Sequence, residues 1–188
     1  PDECKRQQVY RMTDLIYHGG HIALMDVYEW PTDYSEGTET DQFTRHERDV
    51  NNFYIATSRD ADDWDLRWVY EGKPLVPRGG DGAWDKDLLF PSSRIITLDD
   101  KHWIYYGGAN ERHGTPGMAL PRREPHIGLA WLRLDGFVAL TAGDDAGTVV
   151  TKPFRFNGRT VQLNVDARRG EVKVGLLDAQ GEYIERVT

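Results

Sequence analysis

Short runs of β-branched and aromatic residues, each cut off by Gly, Asn or Asp, leave this chain little to form but strands. No stretch of ordinary helix length spaces its apolar residues three and four apart. The tight-turn signals are His18-Gly19-Gly20-His21, Asp99-Asp100, Asp135-Gly136, Asn157-Gly158, Arg169-Gly170 and Gln180-Gly181, where Gly, Asn or Asp accepts the positive φ of a short hairpin. Between them, strands are expected at 9–17, 22–30, 53–58, 66–70, 95–98, 103–107, 127–134 and 137–141. The fold class expected is all-β.

The strands fall into two similar groups. "RMTDLIYHGGHIALMDVYE" (11–29) runs parallel to "RIITLDDKHWIYYGGANE" (94–111), each a strand, a tight turn and then a His leading an aromatic-rich strand. "FYIATSRDADDW" (53–64) matches "IGLAWLRLDGF" (127–137) in the same way, so His21 pairs with His102 and Arg59 with Arg133. Two four-stranded antiparallel units follow, about 9–70 and 89–141, and tandem four-stranded units are the sequence form of β-propeller blades. The extra length sits in polar loops at 31–50 and 108–126, at the same place in each unit. The segment 1–142 therefore reads as a partial propeller. Beyond the linker Gly143-Asp144-Asp145-Ala146-Gly147, the alternation of Val161, Leu163 and Val165 with Gln162, Asn164 and Asp166 describes β-sandwich strands over 147–188.

Charge narrows the partners. Twenty-three Lys and Arg against 31 Asp and Glu give a formal net charge of −8, the wrong sign for phosphate backbones or anionic lipid, so neither nucleic acid nor membrane is expected. The one cysteine, Cys4, has no partner for an internal disulfide, no Cys/His spacing suits a zinc site, and no cofactor or metal is expected. The chain begins at Pro1 without a leader pattern, which reads as a removed signal peptide or a start inside a longer chain.

The stretch "TSRDADDW" (57–64) poses a local question. It falls where the second unit has its Asp135-Gly136 turn, so Asp60, Asp62 and Asp63 read as turn residues capping backbone N–H groups. Arg59 with Asp60 has a second reading, as a clamp on a polar ligand or a neighbouring blade. Together with "PRGGDGAWD", "HWIYYGG", "IGLAWLRLDGFVAL" and "TKPFRFNGRTVQLNVDARRGEVKVGLLDAQG", it resembles the C-terminal part of proteins related to the five-bladed propeller glycoside hydrolases. That is the invertase, levansucrase and arabinanase group, in which a β-sandwich follows the propeller. The resemblance runs from about Val9 to the end, and Leu132 to Phe137 is its most specific piece. Such enzymes cleave glycosidic bonds with paired carboxylates, which the family carries on its first three blades. The two blades here resemble the last two, and the Asn-Asp-Pro-Asn-Gly type of nucleophile motif is absent. The resemblance thus implies catalytic carboxylates outside this chain and assigns no catalytic residue within it.

The candidate ligand contacts lie in loops. In "RGGDGAWDKD" (78–87), glycines allow close backbone approach and Trp84-Asp85 sets a flat apolar face beside a carboxylate, a pairing suited to sugars; the alternative is an inter-blade loop with Trp84 as a packing plug. Arg59, Asp60 and His113 are weaker company, and a lone His more often satisfies a backbone carbonyl. Two functions remain: a glycoside-hydrolase-like protein, or a piece of one, hydrolysing or binding a polysaccharide, and a noncatalytic carbohydrate-binding or assembly module. Two blades leave strand edges uncovered, so either a missing N-terminal segment or a second copy, in a homo-oligomer, is expected to cover them.

Overall fold

The computed structural model describes residues 6–30, 49–112 and 124–187. The chain is all-β, with one four-residue helix among the described residues. It divides into a unit up to Leu134 and a second from Asp135 onward.

The first four strands form an antiparallel meander. β1 (Arg6–Tyr17) turns at His18 and Gly19, both at positive φ (49° and 77°), into β2 (Gly20–Trp30), as the His-Gly-Gly-His signal requires. β2 pairs with β3 (Val50–Ser58) from His21↔Ser58 to Glu29↔Val50, and β4 (Trp64–Asp65) adds to the far end of β3. The strand expected at 66–70 is instead the helix α1 (Arg67–Tyr70). Asp65 Oδ1 accepts the Arg67 amide, the Leu66 carbonyl accepts those of Val69 and Tyr70, and Gly72 at φ 64° ends the turn. Leu66 and Val69, three apart, meet the same apolar cluster, which a helical turn permits and a strand does not.

β5 (Leu88–Pro91) and β6 (Ile96–Leu98) pair with successive parts of one edge of β7 (Lys101–Ala109), and β8 (His126–Arg133) pairs with the other edge, all antiparallel. β5 also meets β3 in parallel at Asn51↔Leu88, which joins the two groups into one mixed sheet with no closed barrel. The expected strand at 137–141 does not form; the chain turns at 134–137 and runs irregularly to 140.

β2 and β3 are covered on both faces. Ala23, Met25 and Val27 pack with Tyr54, Ala56 and Val69 on one side, while Leu24, Phe53, Leu89 and Ile104 pack on the other. Residues 22–28 are all buried, so β2 reads as an unbroken apolar run rather than an alternating one. The burial also traps Asp26 within that run.

In the second unit, β9 (Val174–Leu177) and β10 (Tyr183–Val187) form a hairpin, turning through Gly181 at φ 87°. The alternating segment 161–165 has no regular secondary structure, and Val161, Leu163 and Val165 stay exposed. Alternation alone makes no strand where no ladder partner accepts its backbone groups.

Candidate functional site

Polar groups gather at one end of the first unit's sheet, where β2 ends, β3 and β5 begin and β7 ends. The backbone makes a splice there: Asn51 N–H donates to the Asp87 carbonyl (3.1 Å) and Asp87 N–H to that of Ala109 (3.2 Å). This draws Asp49, Asn51, Asn52, Asp87 and Arg112 together although they are distant in sequence.

Beside the splice lies a cleft of about 360 Å³, with Glu29, Asn52, Tyr54 and Arg78 as its polar lining and Gly72, Pro74, Pro77 and Gly79 completing the wall. Strand register builds it. Gln7 stands opposite Glu29, Val27 opposite Asn52 and Met25 opposite Tyr54, so four polar side chains from three strands share one face. Glu29 Oε1 accepts from Gln7 Nε2 at 2.6 Å and from the Tyr54 hydroxyl at 3.0 Å, and Oε2 accepts from Asn52 Nδ2 at 2.6 Å. Burial, followed by the adjoining Glu29 carboxylate, pushes the Tyr54 phenol well above its ordinary value, so it stays a donor. Asn52 turns its Oδ1 to Arg78 Nε at 2.9 Å, and Arg78 Nη1 donates to the Lys86 carbonyl at 2.5 Å.

Behind this lining sit three buried acids. Asp87 is held by Lys86 and by Arg112, whose Nε lies 3.0 Å from Oδ1. Asp49 accepts from the Tyr28 hydroxyl; burial raises its carboxyl to about 7, against the pull of Arg112. Burial likewise raises Asp26 to about 6, opposed by Arg11 and by the 2.9 Å hydrogen bond from Asn51 Nδ2. Asp49 therefore holds its proton up to near neutral pH and Asp26 up to about pH 6, but at 0 % and 4 % exposure they are shut away from any ligand. Among the described residues, no group of three His, Cys, Asp or Glu could hold a metal ion.

Of the residues singled out in the sequence, Trp84 and Asp85 belong to this end. Trp84 is half-buried and stacks on Tyr106, ring centres 5.7 Å apart and planes 15° apart, with His126 edge-on to it. The Tyr106 hydroxyl donates to Asp85 Oδ2 at 3.0 Å, and Asp85 presses against Gly79 of the cleft wall. Tyr106, half-buried and next to that carboxylate, is pushed up to about 12.

Arg59 and Asp60 lie elsewhere. They follow Ser58 at the opposite end of β3, seven residues from Asn51, or roughly 23 Å at about 3.3 Å per residue. Asp60 Oδ1 accepts from Ser58 Oγ (3.1 Å) and from the Asp62 and Asp63 amides (3.0 Å each), bonds that lower its carboxyl pKa; Ala61 takes positive φ and Trp64 Nε1 donates to the Ala61 carbonyl. "TSRDADDW" is a capped turn, with Asp60 rather than Asp62 or Asp63 as the cap. His113 lies outside the described residues. Sequence reasoning passed over Glu29, Asn52, Tyr54 and Arg78; the available signal was the Asn51-Asn52 pair heading an otherwise apolar strand.

No protein-family model, curated protein or solved structure matches this chain.

Proposed function

We propose that this chain is a carbohydrate-binding protein of the propeller glycoside-hydrolase type, holding a sugar in the cleft of Glu29, Asn52, Tyr54 and Arg78. The carrying observation is a carboxylate fixed by three donors beside a guanidinium, within a cleft of about 360 Å³. That volume suits a small polar ligand. A sugar offers adjacent hydroxyls that donate to Glu29 and accept from Arg78 and Asn52. The rigid donors around Glu29 fix its oxygens before a ligand arrives, which limits the entropy lost on binding.

Binding is favoured over hydrolysis. A hydrolytic site needs two carboxyls facing the scissile bond, one of them protonated. Asp26 and Asp49, the carboxyls with raised pKa values, are enclosed, and among the described residues Glu29 is the one carboxyl lining the cleft, with no second acid facing it.

Isothermal titration calorimetry with a panel of oligosaccharides tests this reading, using the intact chain and Glu29→Gln. Saturable binding is expected, weakened about tenfold by the substitution, the equivalent of one charge-assisted hydrogen bond. If no oligosaccharide binds, or if a folded Glu29→Gln protein binds as tightly as the parent, the assignment fails.

A further inference from the structure

Arg78 is the group in the cleft whose charge is not met. Its guanidinium donates through Nε to Asn52 Oδ1 and through Nη1 to the Lys86 carbonyl, both neutral acceptors. Among the described residues no carboxylate forms an ion pair with it, and both protons of Nη2 and one of Nη1 are unused. The acids around it are already engaged: Glu29 takes three donors, and Asp87 is held by Lys86 and Arg112. Burial weakens the hold of Arg78 on its proton and the like charge of Arg112 acts in the same direction; Asp87 and Glu29 oppose them through space, but neither touches the guanidinium. A guanidinium with part of its hydration removed and no counter-charge in contact is costly unless an anion completes it.

We infer that the cleft takes an acidic sugar, a uronic acid residue, whose carboxylate docks on Arg78 while its hydroxyls reach Glu29 and Asn52. This rests on the carbohydrate reading above. The planar guanidinium presents neighbouring N–H groups that match the two oxygens of a carboxylate, and such a pair forms shorter, stronger bonds than a neutral hydroxyl does. The negative Glu29 does not forbid it, because both its oxygens already face donors while Arg78 has unused ones. A sulfate ester on a neutral sugar shares the anionic chemistry but has a tetrahedral shape, so it enters the test as a separate arm.

The experiment titrates the intact chain with galacturonate and glucuronate oligosaccharides, the same oligosaccharides after methyl esterification, sulfated oligosaccharides and neutral ones. Esterification removes the charge at the cost of one added methyl group per carboxyl. The acids are expected to bind at least about tenfold more tightly than their esters and than the sulfated sugars, and to lose that margin as salt rises. Arg78→Gln is expected to weaken neutral binding as well, because Arg78 also serves the hydroxyls, but to bring the acid-to-ester ratio down to about one; a ratio that stays at about ten in the folded variant would overturn the inference. Should that variant not fold, the acid-to-ester comparison on the parent chain decides alone. Esters binding as tightly as acids would overturn the inference and leave the carbohydrate reading standing. Tightest binding of the sulfated arm would overturn the carboxylate assignment. Silence in every arm would overturn the carbohydrate reading itself, and this inference with it.

Discussion

Asp49 makes the stability of this protein depend on pH in a direction opposite to that of most folded chains. Its carboxyl, ordinarily near 3.8, is raised to about 7 by burial, and its side chain is 0 % exposed. Between those values the folded state holds a proton that the unfolded state has released, so stability falls as pH rises. Below about pH 4 both states are protonated and Asp49 contributes no slope; above about pH 7 both are ionised and the loss is complete. With the two pKa values in the linkage relation, Asp49 costs about 2 kcal/mol at pH 5 and about 4 kcal/mol at pH 8. Asp49→Asn keeps the shape and removes the titration. The gap in unfolding free energy between variant and parent should therefore move in favour of the variant by about 2 kcal/mol from pH 5 to pH 8. Urea denaturation of both proteins across that range, followed by tryptophan fluorescence, measures it, and other titrating groups cancel in the difference. A gap that stays constant with pH would show that Asp49 ionises normally and that its enclosure by Tyr28 and Arg112 has been misjudged.

Two further outcomes are expected. Gly108→Ala would set a methyl carbon 2.6 Å from the Trp84 ring and 2.8 Å from Asp85 Cβ; displacing them should cost about 1–3 kcal/mol and alter the Trp84 emission, and an unchanged spectrum and stability would refute the packing described. Asp60→Ala should lower the urea midpoint slightly through loss of the amide bonds to Asp62 and Asp63 while leaving oligosaccharide affinity untouched; a loss of affinity would revive the clamp.

The strands were legible because their signals are local. His18-Gly19 fixes a two-residue turn whatever surrounds it, and the runs that became β2, β3 and β7 carry enough β-branched and aromatic residues to declare themselves. α1 was hidden because the helical spacing of Leu66 and Val69 spans one turn only, too short to show as a period. The segments 137–141 and 161–165 fail for the reverse reason: their composition suits a strand, but strand formation depends on a partner that composition does not supply. The site divided in the same way. Trp84 and Asp85 stood out because three glycines crowd around them in one loop. Gln7, Glu29, Asn52 and Tyr54 become neighbours only through the registers of β1 with β2 and of β2 with β3, which the sequence does not print, and Arg78 reaches them from outside any strand.

The seam between the two strand groups has mechanical consequences. β3 and β5 share a single ladder position, Asn51↔Leu88, at the end where the cleft lies. Farther along, Leu24 and Phe53 meet Leu89 and Ile104 through apolar contact, which has no preferred direction. Two side-chain hydrogen bonds also cross the seam, Arg11 Nη1 to the Pro91 carbonyl at 2.9 Å and the Tyr17 hydroxyl with His102 Nε2 at 3.1 Å. Among the described residues no row of backbone hydrogen bonds crosses the seam beyond the splice at Asn51, Asp87 and Ala109, so side chains alone resist a twist of one group against the other there. Glu29 and Asn52 ride on the first group, whereas Arg78 is tied to the Lys86 carbonyl just before the second. The cleft thus lies at the end of the seam that the backbone holds, which fixes the spacing of carboxylate and guanidinium more firmly than side-chain contact would.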